Sequence, residues 1–407
     1  MRNIILLGLT SLLADFSSEM IQPLLPFFIA ALGGAGIAVG LVGGVGDALA
    51  ALFKVFSGYW ADRTKHYKKF VFFGYTFSAV AKFFFPLAKI WTHIFVLRPV
   101  ERIGKGLRDA PRDAIVSESI KETYRGRGFG IQRAMDSVGA ILGSIFVYIL
   151  FLDFGFDFRT IFFIAAVIAL TALVPILFVR EPRTLLETKK VRGEPNNIKL
   201  SFKNLSPQLK KFTVIATLFH LANFNFMFFI LKAGDVFKNL GELPYPQYLK
   251  FFVTSFEPEK LAIALPILLY VFFNIFDASL SAPAGRLSDK IGRKPVLAIG
   301  YSLFAISSLG FVFAGSFGAL LGLFAFYGAF RAFIDANQKA FVSDLSDIEN
   351  RATSLGAFET STGLALIPAG LIAGFLWNIN PAYPFWYGLV VSLVAIGLFL
   401  GLIKERK

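Results

Sequence analysis

The chain alternates long apolar runs with short polar loops. A helix of about 20 apolar residues spans a lipid bilayer, and twelve runs in the 407 residues meet this length. The predicted helices cover residues 4–32, 36–59, 70–90, 92–117, 128–152, 158–179, 210–232, 261–283, 295–315, 318–343, 352–376 and 382–403. The pattern therefore predicts an all-α membrane protein with twelve transmembrane helices.

The fourth predicted helix differs because it carries a stripe of charge. On a helix of about 100° per residue, its ionisable side chains fall within an arc of roughly 140°. A charge at the bilayer centre costs about 2.5–3.5 kcal/mol. A solvated surface helix is the simplest alternative, but the apolar surroundings disfavour it. We expect the stripe to face a protein interior or a water-filled cavity. It comprises Arg98, Glu101, Arg102, Lys105, Arg108, Asp109, Arg112 and Asp113.

Composition supports a polytopic membrane protein, since 56% of the residues are hydrophobic and 17% are charged. The net charge of +14 would also suit a nucleic-acid-binding protein. However, Lys and Arg cluster in alternate loops, while the loops at 33–35 and 316–317 carry no charge. This is the positive-inside pattern. It predicts cytoplasmic termini, membrane lipids as surroundings and no nucleic-acid partner.

Several kinds of chemistry lack their usual residues. The chain has no Cys and three scattered His residues, which disfavours a metal site. A Walker A motif is absent, which argues against an ATP-driven pump. Neither a nucleophile–base pair nor a cofactor motif occurs near a predicted membrane interface. We therefore expect a protein that is not an enzyme and has no cofactor.

The chain divides into two related halves. Residues 181–209 are polar and basic and predict a cytoplasmic linker between six-helix bundles at 1–180 and 210–407. Lys105 and Asp109 recur as Arg331 and Asp335 after 226 residues. The tetrapeptide LADF around Asp15 resembles LANF around Asn223, 208 residues later. Internal repeats of this kind are typical of transporters.

A second repeat carries a family resemblance. Residues 285–294 read GRLSDKIGRK, which is similar to the cytoplasmic-loop signature of the major facilitator superfamily. A copy 227 residues earlier keeps Gly58, Asp62 and Arg63 but has Lys65 where Gly is usual. The fifth helix resembles the family's antiporter motif, although Ser144 replaces its Pro. The opening segment and the charged stripe also look like an uncharacterised archaeal and bacterial branch.

The resemblance implies two bundles that rock about a central cavity lined by helices 1, 4, 7 and 10. It also implies a cytoplasmic gate at the signature loops. The residues assigned to this gate are Gly58, Asp62, Arg63, Arg112, Gly285, Asp289, Lys290, Arg293 and Lys294.

Ionisable groups at membrane depth predict the solute pathway, because such groups are commonly functional. Helix 1 has a polar face that contains Asp15 and Glu19. Hydrogen bonds between helices are the structural alternative, and for His220 that alternative is favoured. The predicted pathway comprises Asp15, Glu19, Arg98, Glu101, Arg102, Lys105, His220, Asn223, Arg331 and Asp335.

These features predict secondary active transport of a small solute by alternating access, with proton coupling. Burial favours the neutral form of a carboxyl group, which makes Asp15, Glu19, Asp47 and Asp136 the candidates for the proton. Several deep basic groups favour export of an organic anion or zwitterion. Multidrug-type efflux is the alternative, and a membrane sensor or enzyme is less favoured. We expect a monomer in a prokaryotic plasma membrane.

Overall fold

A computed structural model describes residues 1–121, 124–182, 205–238, 256–346 and 351–403. Within these ranges all the regular elements are helices. The first half contains α1 (Arg2–Ile21), α2 (Leu25–Ala31), α3 (Gly36–Thr64), α4 (Tyr67–Phe84), α5 (Trp91–Glu118), α6 (Arg125–Leu152), α7 (Phe158–Thr171) and α8 (Leu173–Leu177). The second half contains α9 (Pro207–Ala222), α10 (Met227–Lys238), α11 (Pro258–Ile291), α12 (Arg293–Phe313), α13 (Phe317–Asp344), α14 (Arg351–Ile379) and α15 (Tyr383–Leu402).

Eleven helical segments of the described chain are long and apolar enough to cross a membrane. This confirms the prediction of an all-helical, multi-pass membrane protein. In this count α1 with α2, α7 with α8, and α9 with α10 each form one segment. The 28-residue helix α5 is long enough, but its charged stripe sets it apart from the eleven.

Three of the predicted helices, 4–32, 158–179 and 210–232, each contain a break between two helical elements that together form one membrane-spanning segment. Pro23 lies in the turn between α1 and α2, where its missing N–H cannot continue a helix. The turn between α9 and α10 follows Asn223, which leaves the helical conformation with ψ 69°. There Asn225 accepts a hydrogen bond from the backbone N–H of Met227 at 3.0 Å. With the displacement of 208 residues, Pro23 corresponds to Leu231 inside α10, so the two interruptions do not coincide.

The two halves meet through α3 against α14 and through α6 against α11. Gly40 and Gly370 bring the backbones of α3 and α14 into direct contact, because a Cβ on either residue would overlap the other's carbonyl oxygen. Nearby, Asn378 accepts a hydrogen bond from the backbone N–H of Gly36 at 2.8 Å. This end of the molecule is therefore sealed between the halves.

Two glycines towards the opposite end of the helices make no close contact. A Cβ added to Gly130 on α6 or to Gly285 on α11 would meet no atom within 4 Å. The predicted linker, 181–209, lies largely outside the described residues. Its last part begins α9, where the Ser206 hydroxyl caps the helix by accepting from the backbone N–H of Leu209 at 3.3 Å.

Candidate functional site

Helix α5 carries the charged stripe into the interior of the first half. Gly104 contacts Gly74 of α4 closely, and Gly106 packs against the backbone of α3 at Ala50. A larger residue at either glycine would force the helices apart. Gly104 and Gly106 therefore allow α5 to lie close to α4 and α3, and this sets the direction of the charges.

The deepest charges of the stripe pair with each other. Arg98 donates to Glu101 at 2.8 Å, and these residues are only 4% and 2% exposed. Both side chains were expected to face the cavity from their place in the charged stripe, whereas the structure surrounds them with protein. They form an internal ion pair that joins to helix α1, because Arg98 also donates to Gln22 at 3.5 Å.

Replacing Glu101 with Gln is expected to lower the free energy of unfolding by about 3–5 kcal/mol, because it leaves Arg98 charged, buried and without a carboxylate. Thermal unfolding of the purified protein in detergent measures the change. Glu118→Gln is the matched control, since Glu118 is 28% exposed where it pairs with Arg125 and should cost below about 1 kcal/mol. Equal losses in the two variants would contradict the assignment.

A second group of polar side chains links the two halves through Asp47 on α3. One carboxylate oxygen accepts from Arg102 at 2.6 Å. The other accepts from the side chain of Asn225 at 2.7 Å, at the interruption between α9 and α10. Repeat alignment had singled out Asn223, but Asn225 makes this contact. The residue was missed because its position depends on where the helix ends.

A third group links the halves through Glu19 on α1. Its carboxylate accepts from the Tyr270 hydroxyl of α11 at 2.7 Å and from the side chain of Gln22. Both donors are neutral, and in the described structure Glu19 has no basic group within 4 Å. Glu19 therefore differs from Asp47, whose carboxylate is held by an arginine. Tyr270 gave no signal in the sequence, where it lies in an apolar run.

Asp15 lies one turn from Glu19 but faces arginine. Its carboxylate is 3.8 Å from Arg108, and the Arg108 guanidinium also lies 4.1 Å above the ring of Tyr75, a favourable cation–π distance. Asp136 on α6 lies 3.8 Å from Arg112. Three of the four predicted proton carriers, Asp15, Asp47 and Asp136, thus have an arginine within 4 Å.

Lys82 on α4 is a buried cation that the sequence analysis did not select. It is 2% exposed and donates to the hydroxyls of Ser17 and Ser18, each at 2.9 Å. The signal was present, since a single lysine inside an apolar helix is itself a candidate functional residue. Lys82 fixes the segment of α1 that leads to Glu19.

The second half contributes a more open set of charges. Arg331 pairs with Asp335 at 3.2 Å, and these side chains are 39% and 48% exposed. On α11, Asp277 lies 3.7 Å from Arg133 of the first half. The structure thus places the predicted pair on α13 at an accessible surface, in contrast to Arg98 and Glu101.

His220 makes a hydrogen bond inside its own helix, since its ring nitrogen Nδ1 contacts the carbonyl oxygen of Ala216 at 2.8 Å.

A further contact between the halves uses Glu359 of α14. Its Oε1 lies 3.2 Å from both Lys54 on α3 and Lys339 on α13. The described chain contains no group of three or more His, Asp or Glu side chains suited to a metal ion.

The second signature loop is held within its own half. Arg293 pairs with Asp289 at 2.9 Å and with Asp344 at the end of α13 at 3.4 Å. Lys294 donates to the backbone oxygens of Leu400 and Ile403. Lys290 is exposed.

The first signature loop makes weaker contacts. Asp62 accepts from the Tyr67 hydroxyl at 2.9 Å, and Arg63 donates to Tyr59 at 3.2 Å. A Cβ on Gly58 would lie 3.3 Å from the Cβ of Ala110. Arg112, assigned to the same gate, donates to Ser11 of α1 at 2.7 Å.

Comparisons with known proteins agree with this architecture over the whole chain. The sequence model of the Major Facilitator Superfamily matches residues 7–256 and 213–407. An uncharacterized MFS-type transporter of Methanocaldococcus jannaschii is 44% identical over 403 residues, which cover 98% of this chain and 94% of that protein.

Two further likenesses are more distant. Multidrug resistance protein 1 of Bacillus subtilis is 29% identical over 133 residues, which cover 33% of this chain and 34% of that protein. The crystal structure of the nucleoside transporter NupG superposes with a TM-score of 0.76 at 16% identity and covers all of both chains. At this level of identity, the superposition shows a shared fold.

Proposed function

The chain belongs to the major facilitator superfamily, and on this basis we propose that it is a proton-coupled secondary transporter of a small organic anion or zwitterion. In this account α5 also spans the membrane, which raises the eleven apolar segments to twelve membrane-spanning segments. Residues 1–180 and 210–407 form two bundles joined by the linker at 181–209, and both termini are cytoplasmic. The protein acts as a monomer in the plasma membrane. The sealed end at Gly40 and Gly370 then faces outward.

The observation that carries the proposal is the contact of Glu19 with Tyr270. It joins the two halves in the interior of the molecule, through a carboxylate whose hydrogen-bond donors are both neutral. A carboxylate in such surroundings can gain a proton without breaking an ion pair. Protonation changes a contact between the halves, which is what coupling a proton to alternating access requires.

Repeat symmetry supports a single coupling site. In the repeat with a displacement of 227 residues, Tyr270 corresponds to Gly43. In the repeat with a displacement of 208 residues, Met227 corresponds to Glu19. In the related helix crossing, a Cβ on Gly43 would lie 2.7 Å from the terminal methyl carbon of Met227. The two crossings therefore pair glycine with methionine in one case and tyrosine with glutamate in the other. The first crossing also has a carboxylate nearby, Asp47, but Arg102 pairs with it, whereas both hydrogen-bond donors to Glu19 are neutral.

Multidrug-type efflux is the second candidate. The partial likeness to multidrug resistance protein 1 supports it, as does the stacking of Tyr270 on Phe226 and on Phe273 beside Glu19, with ring centroids 5.4 and 5.3 Å apart. Transport of lipophilic cations would favour this candidate. Organic anions are favoured by the basic groups Arg102, Lys105 and Arg331.

Tracer flux across sealed vesicles tests whether the protein transports at all. We expect vesicles that contain the protein to exchange at least one labelled solute faster than empty vesicles. The flux measured with the labelled solute loaded inside, compared with the flux with the solute added outside, gives the preferred direction of transport. The panel should include organic anions, zwitterions, organic cations and neutral amphiphiles. Flux identical to that of empty vesicles throughout would favour a membrane sensor or enzyme instead.

A further inference from the structure

Lys105 lies at the centre of the charged stripe of α5 and has no partner. It is half-buried, and within the described chain no hydrogen bond or ion pair involves its ammonium group. On either side of it, Nε of Arg102 and Nε of Arg108 are buried without a hydrogen-bond acceptor. Three cationic groups on one helix face thus retain donors for an acceptor that the protein does not provide.

The neighbouring arginines already have carboxylates. Arg102 is held by Asp47, and Arg108 lies within 4 Å of both Asp15 and Asp109. Lys82 also lacks a carboxylate, but it is 2% exposed and bonded to two hydroxyls. Lys105 is therefore the cation of this stripe that is open to a ligand and not neutralised.

Glu19 is the matching anion without a cationic partner. The charged groups that face it are Asp15 on its own helix, Lys105 on α5 and Arg331 on α13, and Tyr270 donates to it from α11. Two further cations lie nearby: Arg98 donates to Gln22, and Lys82 donates to Ser18. Asp15 and Asp109 are the carboxylates that act most strongly on Lys105, and protonation of Glu19 removes one further negative charge from its surroundings.

We infer that Lys105 binds the oxyanion group of a singly charged organic anion, and that this anion crosses the membrane together with one proton on Glu19. The inference rests on the proposed function and specifies its substrate charge and stoichiometry. One anion and one proton add no net charge to the cavity, so the transport step is electroneutral. A dianion would leave a negative charge unmatched in the membrane interior.

Linkage fixes the pH dependence. Because protonation of Glu19 removes a negative charge near Lys105, it strengthens anion binding, and the bound anion must strengthen proton binding by the same factor. The affinity for a permanently charged anion should therefore rise as the pH falls. Anion binding should also take up close to one proton when Glu19 starts ionised.

Benzenesulfonate is a suitable probe, because it stays singly charged at every accessible pH and adds no proton of its own. The full-length protein in detergent is titrated with it in weakly buffered solution, while calorimetry gives the affinity and a pH dye gives the proton uptake. Neutral benzenesulfonamide is the matched ligand control. We expect binding of the sulfonate with proton uptake, and binding of the sulfonamide at least about tenfold weaker, as for loss of a charge-assisted hydrogen bond.

Variants assign the two roles. Lys105→Met should weaken sulfonate binding about tenfold or more, whereas Lys105→Arg should restore it and Lys211→Met, at an exposed lysine of α9, should leave it unchanged. Glu19→Gln should bind the sulfonate with an affinity independent of pH and without proton uptake. Restored binding in Lys105→Arg would show that the site needs a cation at this position.

Several results would overturn the inference. These are no sulfonate binding at acidic or neutral pH, binding without proton uptake, equal binding of the sulfonamide, or unchanged affinity in Lys105→Met. If one of them occurs while another solute still drives protons across vesicles, the inference fails and the proposed function stands. If no solute moves protons or tracer, the proposed function fails as well.

Discussion

Replacing Glu19 with Gln is expected to abolish the part of solute transport that depends on a pH gradient. Glutamine keeps the size of the side chain and can still accept from Tyr270, but it cannot carry a proton. Exchange of labelled solute in the absence of a gradient should persist within about fivefold, since one neutral hydrogen bond contributes about 0.5–1.5 kcal/mol. Transport into vesicles with and without an imposed pH gradient measures both quantities.

Two variants serve as controls for this result. Glu118→Gln removes a carboxylate from the surface end of α5 and should leave gradient-driven transport unchanged. Asp15→Asn tests the carboxylate one turn away, which Arg108 already neutralises, and it should retain coupling. If gradient-driven transport survives in Glu19→Gln but is lost in Asp15→Asn, the coupled proton binds to Asp15, which would contradict our assignment.

Replacing Gly40 with Val is expected to open the sealed end of the molecule. The added side chain would overlap the carbonyl oxygen of Gly370, and relief of the overlap requires α3 and α14 to separate. Overpacking of this kind costs about 1–3 kcal/mol, which corresponds to a shift of roughly 5- to 150-fold in the conformational equilibrium. Transport should slow, because the cycle passes through the sealed state.

Single-cysteine labelling measures this opening, because the chain has no native Cys. Met227 is a suitable reporter, as it is 1% exposed and contacts α3 beside the seal. A membrane-impermeant thiol reagent should label Met227→Cys at least about fivefold faster when Gly40→Val is also present. Gly322→Val is the control, since a Cβ at Gly322 meets nothing within 4 Å. Equal labelling rates in the two backgrounds would mean that the glycine contact does not control the seal.

The sequence was most informative where the cost of burying charge limits the possibilities. Eight ionisable groups on one arc of a helix in an apolar chain must face protein or water, and α5 does turn them inward. Spacing alone could not tell which of them stay accessible. Arg98 and Glu101 are enclosed because α1 and α4 cover them, whereas Lys105 remains open. That difference depends on how neighbouring helices pack.

Contacts between the halves were harder to predict. Asn225 was missed because the end of α9 decides which asparagine reaches Asp47, and repeat alignment favoured Asn223. Tyr270 has no distinctive neighbour in the sequence, and its role appears only once α11 lies against α1. Lys82 is a different case, since a lysine within an apolar helix is visible in the sequence and deserved the weight that Asp15 received.

The most direct test of a proton-coupled transporter uses purified protein in sealed vesicles that contain a pH-sensitive dye. Organic anions, organic cations and neutral amphiphiles are added outside in turn, with empty vesicles and Glu19→Gln vesicles in parallel. The account predicts proton movement into the vesicles when an organic anion is added, and no such movement in the Glu19→Gln vesicles. Solute flux without any accompanying proton movement, or proton movement that persists in the Glu19→Gln vesicles, would contradict it.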